Sequence, residues 1–185
     1  CLLLLNPEGM QETTKSLNQE LDGFSSLFDQ RLTAKMLEKL GILDQEQPED
    51  RDLVHKWLHY LHTEQLDYTL SFRKLAKLVD GDGGGDHFES TDAFQDFYRL
   101  WHKRIHHQGL EAGSIQERMN QVNPMVIPRN HKIEEVIEAG LHNDFKPFHR
   151  MNQALRAPFE DHEEFRSYQS APRPEEMVQA TFCGT

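Results

Sequence analysis

Cysteine is nearly missing from this chain: 185 residues contain two, Cys1 and Cys183, at opposite ends. A small secreted domain stapled by disulfides carries an even, spaced set, so no disulfide framework is implied. There is no CxxC and no zinc-finger spacing either. Long apolar runs are also missing. The run near the amino end, Leu2-Leu3-Leu4-Leu5, falls far short of the about 20 residues that a membrane span requires. It lacks the basic flank and extended apolar region of a signal peptide. Positive charge is scarce, with 20 Lys+Arg against 31 Asp+Glu and a net charge of −11. Such a field repels phosphate backbones and anionic headgroups, which argues against nucleic-acid or membrane-surface partners. The expectation is a soluble, acidic, cytosolic chain. Because it opens on Cys1 rather than Met, it reads as a piece of a longer protein.

β-branched residues are thin as well: Leu occurs 22 times, Val and Ile together 12 times. That balance favours helix over strand, and the spacing agrees. Leu17, Leu21, Phe24, Phe28, Leu32, Met36 and Leu40 step by three or four, predicting one stripe on a long helix over 15–40. Gly41 is placed to end it in the left-handed conformation, and Gly23 is a site for a kink. A second helix is predicted over 50–63, burying Leu53, Val54, Trp57, Leu58 and Leu61. A third starts at the N-cap Asp67, lines its inner side with Tyr68, Phe72, Leu75 and Val79, and stops at Gly81. Ser90, Thr91 and Asp92 offer a cap for a fourth, with Phe94, Phe97, Tyr98, Trp101 and Ile105 inward. Ser114-Ile115-Gln116-Glu117 has the spacing of a capping box, opening a short helix that ends before Pro124. Asn130 can cap a helix that buries Ile133, Val136 and Ile137, and a last one spans 145–155 around Phe148 and Met151. Beyond Pro158 the chain is polar and proline-bearing. The fold class is all-α, an irregular multi-helix bundle of six or seven helices over 1–159, followed by a polar tail over 160–185.

Candidate chemistry is sparse. Residues 80–86 (Asp-Gly-Asp-Gly-Gly-Gly-Asp) resemble a calcium loop at positions one, three and seven, but position twelve is Thr91 where bidentate Glu is needed. As a phosphate cradle the stretch lacks Lys and a preceding strand, so a solvated connector is the simpler reading. His55, His59 and His62 share one helix stripe turned away from the apolar face. They fit either a solvent-facing polar side or a Zn²⁺ or Ni²⁺ site, which would need further ligands. His102 and His106 form a second i, i+4 pair open to the same two readings. No Ser-His-Asp set, nucleotide-binding glycine motif or paired catalytic carboxylates stands out. The aromatic residues fall on buried stripes and read as core.

Several short strings go further when taken in order. They are Lys39-Leu40-Gly41; Asp67-Tyr68-Thr69 with Phe72-Arg73-Lys74-Leu75; Asn123-Pro124; and Pro128-Arg129-Asn130-His131. Ile137-Glu138-Ala139, Leu155-Arg156-Ala157-Pro158-Phe159 and the ending Phe182-Cys183-Gly184-Thr185 follow. Together, over about 17–185, this order resembles the carboxy-terminal third of the selenoprotein O family. The resemblance implies the helical end of a kinase-like (pseudokinase) fold. It implies a parent enzyme that binds ATP with Mg²⁺ and transfers AMP to hydroxyl side chains of protein substrates, with a linked redox role. Such a parent would reside in the bacterial cytoplasm, or in mitochondria if eukaryotic.

The family's ATP and metal motifs lie upstream, and nothing here matches them. The expectation is therefore no catalytic, cofactor-binding or metal-binding residue in this chain, which alone neither binds ATP tightly nor transfers AMP. Its partner would be the upstream kinase-like core of the same protein. One functional residue carries over: Cys183, third from the end, where relatives place selenocysteine or cysteine as half of a redox pair. Residues 128–131 are the most family-like string. Arg129 is suited to pairing with a carboxylate across helices, and Asn130 to capping. If the helices pack on an upstream core, an apolar face should stand bare here. The rival reading is a non-catalytic helical module that binds a protein partner.

Overall fold

The structure, a computed structural model, describes residues 10–81 and 88–176. Among these residues all regular structure is helical. The order is α1 (Met10–Lys39), α2 (Asp50–Thr63), α3 (Tyr68–Ala76), α4 (Asp92–His106), α5 (Ala112–Val122), α6 (Asn130–Leu141) and α7 (Lys146–Ala154). A 3₁₀ turn at Glu163–Phe165 leads into the short α8 (Arg166–Gln169), and a second such turn follows at Pro174–Glu176.

Two hydrophobic cores form. The larger gathers the inner faces of α2, α3, α4 and α5 around the last turns of α1, and its hub is Trp57, which is fully buried. Trp57 stacks on Phe97 at 4.8 Å between ring centroids and meets Phe72 and Phe88 edge-on at 5.8 and 5.5 Å. Offset and T-shaped packing of this kind suits the ring quadrupole and adds about 0.5–1.5 kcal/mol per pair beyond burial. Trp101 fastens the end of α1 by donating its Nε1–H to Leu40 O at 2.7 Å. The smaller core joins Val126, Met151, Ala154, Phe165 and Tyr168, with Ile133 and Val136 packed on it. Phe165 and Tyr168 thus draw part of the stretch beyond Pro158 into contact with α7.

Local signals account for three of the helix ends. The Asp67 carboxylate accepts from Leu70 N and the Thr91 hydroxyl from Phe94 N, each satisfying an orphan donor of the first turn. Gly41 takes φ +77° immediately past α1, a conformation that costs glycine nothing.

Several expectations are overturned. No break occurs at Gly23: α1 is one helix of 30 residues, about 45 Å at 1.5 Å per residue. Its apolar stripe is not core over most of its length. Leu21, Phe24, Phe28 and Leu32 are 65, 62, 53 and 47% exposed, and from Thr14 onward Met36 is the first buried residue. The reason is reach, since the other helices meet only the carboxy end of α1. The third helix ends at Ala76 rather than Gly81, and Tyr68 stays half exposed although its ring touches Phe72. Ser114 opens no capping box. The chain re-enters helix at Ala112 after extended Glu111, so Ser114 already lies inside the first turn. Asn130 is likewise the first helical residue of α6, preceded by extended Arg129, and no side chain caps that end. Ile137 on α6 is exposed rather than inward.

Candidate functional site

The family-like strings, scattered over the sequence, converge on one polar seam between the two cores. Arg73 of α3 donates from Nη1 to the carbonyls of Asn120 and Asn123 at 3.0 and 3.2 Å, and to Phe159 O at 3.5 Å. Asn123, fully buried, donates from Nδ2 to Lys39 O at 2.9 Å and Met119 O at 2.8 Å. The amides of Met125 and Val126 both donate to Pro158 O, at 2.7 and 3.1 Å. Among these acceptors Lys39, Asn120 and Asn123 lie at the carboxy ends of α1 and α5, where carbonyls lack intrahelical partners.

At the centre of the seam Arg129 grips Asp67. Nη1 lies 2.6 Å from Oδ2 and Nη2 3.1 Å from Oδ1, a two-pronged pair that matches guanidinium to carboxylate. The expected pairing of Arg129 with a carboxylate across helices is therefore present. Burial would push the Asp67 carboxyl up, but hydrogen bonds from Arg129 and from the Leu70 and Thr69 amides outweigh it and hold the group below its ordinary range. One side chain thus caps α3 and ties α3 to the start of α6.

Beside this pair is a cavity of about 330 Å³ lined by Pro128, Arg129, Asn130, His131, Pro172 and Glu176. His131 and Arg129 are each 7% exposed, and His131 Nδ1 and Arg129 Nε are buried without partners. An adjoining hollow along α6 is strongly acidic, lined by Glu134, Glu135, Glu138, Glu175 and Glu176. Glu176 bonds Arg173, which brings its carboxyl down to about 2.

The other sequence candidates do not join this seam. His55, His59 and His62 lie exposed along α2, as their stripe implied. Among the described residues no group of three or more His, Cys, Asp or Glu side chains is placed to hold a metal ion. His102 and His106 do meet, with their Nε2 atoms 3.0 Å apart and ring centroids 4.2 Å apart. Burial, then the neighbouring His106, lowers the His102 pKa from its usual value. Most of the acidic glycine-rich stretch 80–86, Cys1 and the redox candidate Cys183 lie outside the described residues.

Sequence reasoning missed a second ionic knot. Arg104 donates to Asp50 from Nε at 2.8 Å and Nη2 at 3.0 Å, and to Asp44 Oδ1 at 2.7 Å. Burial disfavours its charge, yet Asp50 and Asp44 more than restore it and raise its pKa. With Gln108, which accepts from Leu43 N and donates to Gly41 O, this knot fixes the loop between α1 and α2. A signal was present: Arg104 sits one turn beyond Trp101 on the apolar stripe of α4, and a charge on a buried stripe is informative.

These contacts are joints, holding helices in register. Comparison with known proteins agrees with what the joined strings suggest. The profile of the family described as "Protein adenylyltransferase SelO" matches residues 3–156. Among curated proteins, one named "Protein nucleotidyltransferase YdiU" from Agrobacterium fabrum is 36% identical over 189 residues, covering 100% of this chain and 38% of its own length. A protein of the same name from Rhodopseudomonas palustris is 36% identical over 190 residues, with the same coverage. Another from Rhizobium johnstonii is 35% identical over 173 residues, 91% of this chain and 34% of its own. The chain thus spans well under half the length of these relatives. Matched along most of its length, and carrying the strings that meet at the Asp67–Arg129 seam, the chain belongs to the SelO protein nucleotidyltransferase family.

Proposed function

We propose that this chain is the helical carboxy-terminal part of a protein adenylyltransferase, a buttress for an upstream kinase-like core that binds ATP and Mg²⁺ and transfers AMP to hydroxyl groups of protein substrates. The observation that carries this reading is the bare stripe on α1. Leu21, Phe24, Leu27, Phe28 and Leu32 lie in register over three turns, all 47–65% exposed. A contiguous apolar stripe on a helix without tertiary cover marks an interaction surface, because isolated helices are marginal in water. Covering the half of each side chain now wet would contribute roughly 4–8 kcal/mol, taking 1.5–3 kcal/mol for a fully buried apolar side chain. The chain spans 38% of its Agrobacterium relative, so the remaining portion is the natural occupant of that face.

The hollow along α6 does not suit a triphosphate. Five glutamates line the hollow along α6, and an anion entering it meets repulsion. Phosphoryl and nucleotidyl transfer need cationic groups and metal to position and neutralise the phosphates. In this reading ATP, Mg²⁺ and the catalytic groups belong upstream, and Cys183 supplies the redox link. Neither nucleic acid nor a membrane surface is a partner of so acidic a chain.

The test mixes the purified chain with the upstream portion of the Agrobacterium relative and follows transfer of labelled AMP from Mg·ATP to protein. Labelling and co-elution are expected only with both parts present, and F24E/F28E abolishes both without altering helix content. Labelling by the 185-residue chain alone overturns the proposal, as does unimpaired association of the double variant. A homodimer through α1 that excludes the upstream portion also overturns it.

A further inference from the structure

The histidine pair on α4 belongs to neither core nor seam. His106 Nε2 lies 3.0 Å from His102 Nε2 and 3.0 Å from the Val79 carbonyl oxygen. A carbonyl only accepts, so the tautomer that satisfies Val79 carries the His106 proton on Nε2, with His102 Nε2 beside the same nitrogen. His102 Nε2 and the Val79 oxygen thus each lie 3.0 Å from His106 Nε2. Gly81, at φ +91°, leaves the approach open: a Cβ there would stand 3.3 Å from His102 Nε2. His106 is exposed and His102 partly so, giving an ion access from solvent.

We infer that His102 and His106, with the Val79 carbonyl, form a binding site for a divalent transition-metal ion of the copper(II) or nickel(II) type. The spacing as it stands lies nearer a right-angled chelate than a tetrahedral one. At a metal–nitrogen distance of about 2.0–2.1 Å, the 3.0 Å separation subtends about 94° at the metal, whereas tetrahedral zinc would need about 3.3–3.4 Å. Near-right angles between imidazole ligands are those of tetragonal copper(II) and nickel(II), and copper binds more tightly in the usual affinity order. The proton balance is simple: the His106 proton moves from Nε2 to Nδ1, both imidazoles stay neutral, and the ion takes the two Nε2 lone pairs. Water fills the remaining positions. His102 and His106 are separated by one helical turn, so the chelate needs no backbone movement in α4. A bound ion would tie the end of α4 to the turn that follows α3.

The test titrates the full chain, its two thiols alkylated, with copper(II) chloride in a non-coordinating buffer. Calorimetry reads affinity, and electron paramagnetic resonance reads the nitrogen ligands. One copper held by two imidazole nitrogens is expected. H102N and H106N each weaken it by at least about tenfold, since even outer-shell changes cost 10–100-fold. H59A, on the separate histidine stripe of α2, leaves it unchanged, and unaltered circular dichroism shows that each variant folds. The inference is overturned by absence of saturable binding, by unchanged affinity in H102N or H106N, or by loss of the signal in H59A.

Discussion

Removing Arg129 strikes a contact that ties the larger core to the smaller one. In R129A the Asp67 carboxylate keeps its bond to the Leu70 amide but loses a guanidinium held at 2.6 and 3.1 Å. Breaking a buried ion pair from one side costs about 3–5 kcal/mol. Asp67 remains 19% accessible on its side chain, so part of the stranded charge is hydrated and about 2–3 kcal/mol is expected. For a chain of this size each kcal/mol lowers Tm by about 2–4 °C, giving a drop of about 4–12 °C. D67S keeps an N-cap acceptor and removes the charge, so D67S/R129A should be less destabilised than the sum of the single variants by about 1–2 kcal/mol. Urea unfolding followed by far-ultraviolet circular dichroism supplies all four corners of the cycle. The pH dependence has a fixed sign. The folded Asp67 pKa is depressed, so its stabilisation is complete above the unfolded carboxylate value of about 3.9. It is lost as pH falls through the folded value, and the gap between wild type and R129A closes in acid. A coupling below about 0.5 kcal/mol, or a gap that widens in acid, would refute the assignment of the pair as the seam's main tie.

Three further outcomes follow from the structure. D50A leaves Arg104 charged at a site 9% exposed and should destabilise by about 3–5 kcal/mol in urea, with D50N milder because it keeps an acceptor. G41A combines a left-handed φ with a Cβ 2.8 Å from Ile115 Cγ2 and 2.9 Å from Met119 Sδ, and should lower stability by about 2–4 kcal/mol. G23A meets nothing within 4 Å on an exposed helix interior and should instead raise the helicity of α1, favouring it by about 0.5–1 kcal/mol, measured by circular dichroism.

What the sequence made legible follows the range of the forces involved. Caps such as Asp67 and Thr91 act within three residues, so their side chains could be read directly. The aromatic stripes of α2, α3 and α4 were legible because three helices share one core and each must turn its apolar side inward. The α1 stripe obeyed the same period but has no neighbour among the described residues, so periodicity announced a helix correctly and burial wrongly. Ser114 and Asn130 misled for a different reason. A capping residue must itself have a non-helical backbone, and here the residues that do are Glu111 and Arg129, whereas Ser114 and Asn130 are helical. The seam was half visible. Its strings were recognisable and a carboxylate partner for Arg129 was anticipated, but 62 residues separate Arg129 from Asp67, and no local pattern spans that distance. Arg104, Asp50 and Asp44 eluded the reading on the same ground.

Trp57 and Trp101, the chain's two tryptophans, both reside in the larger core, packed against Phe97 between them. Indole emission therefore reports on that half alone. Were α6, α7 and α8 to melt first, taking Met151, Phe165 and Tyr168 into solvent, a fluorescence trace would stay flat while ellipticity fell. Disagreement between the two optical signals would then mark stepwise loss of structure, and their coincidence would show that the Asp67–Arg129 tie makes the two halves melt as one.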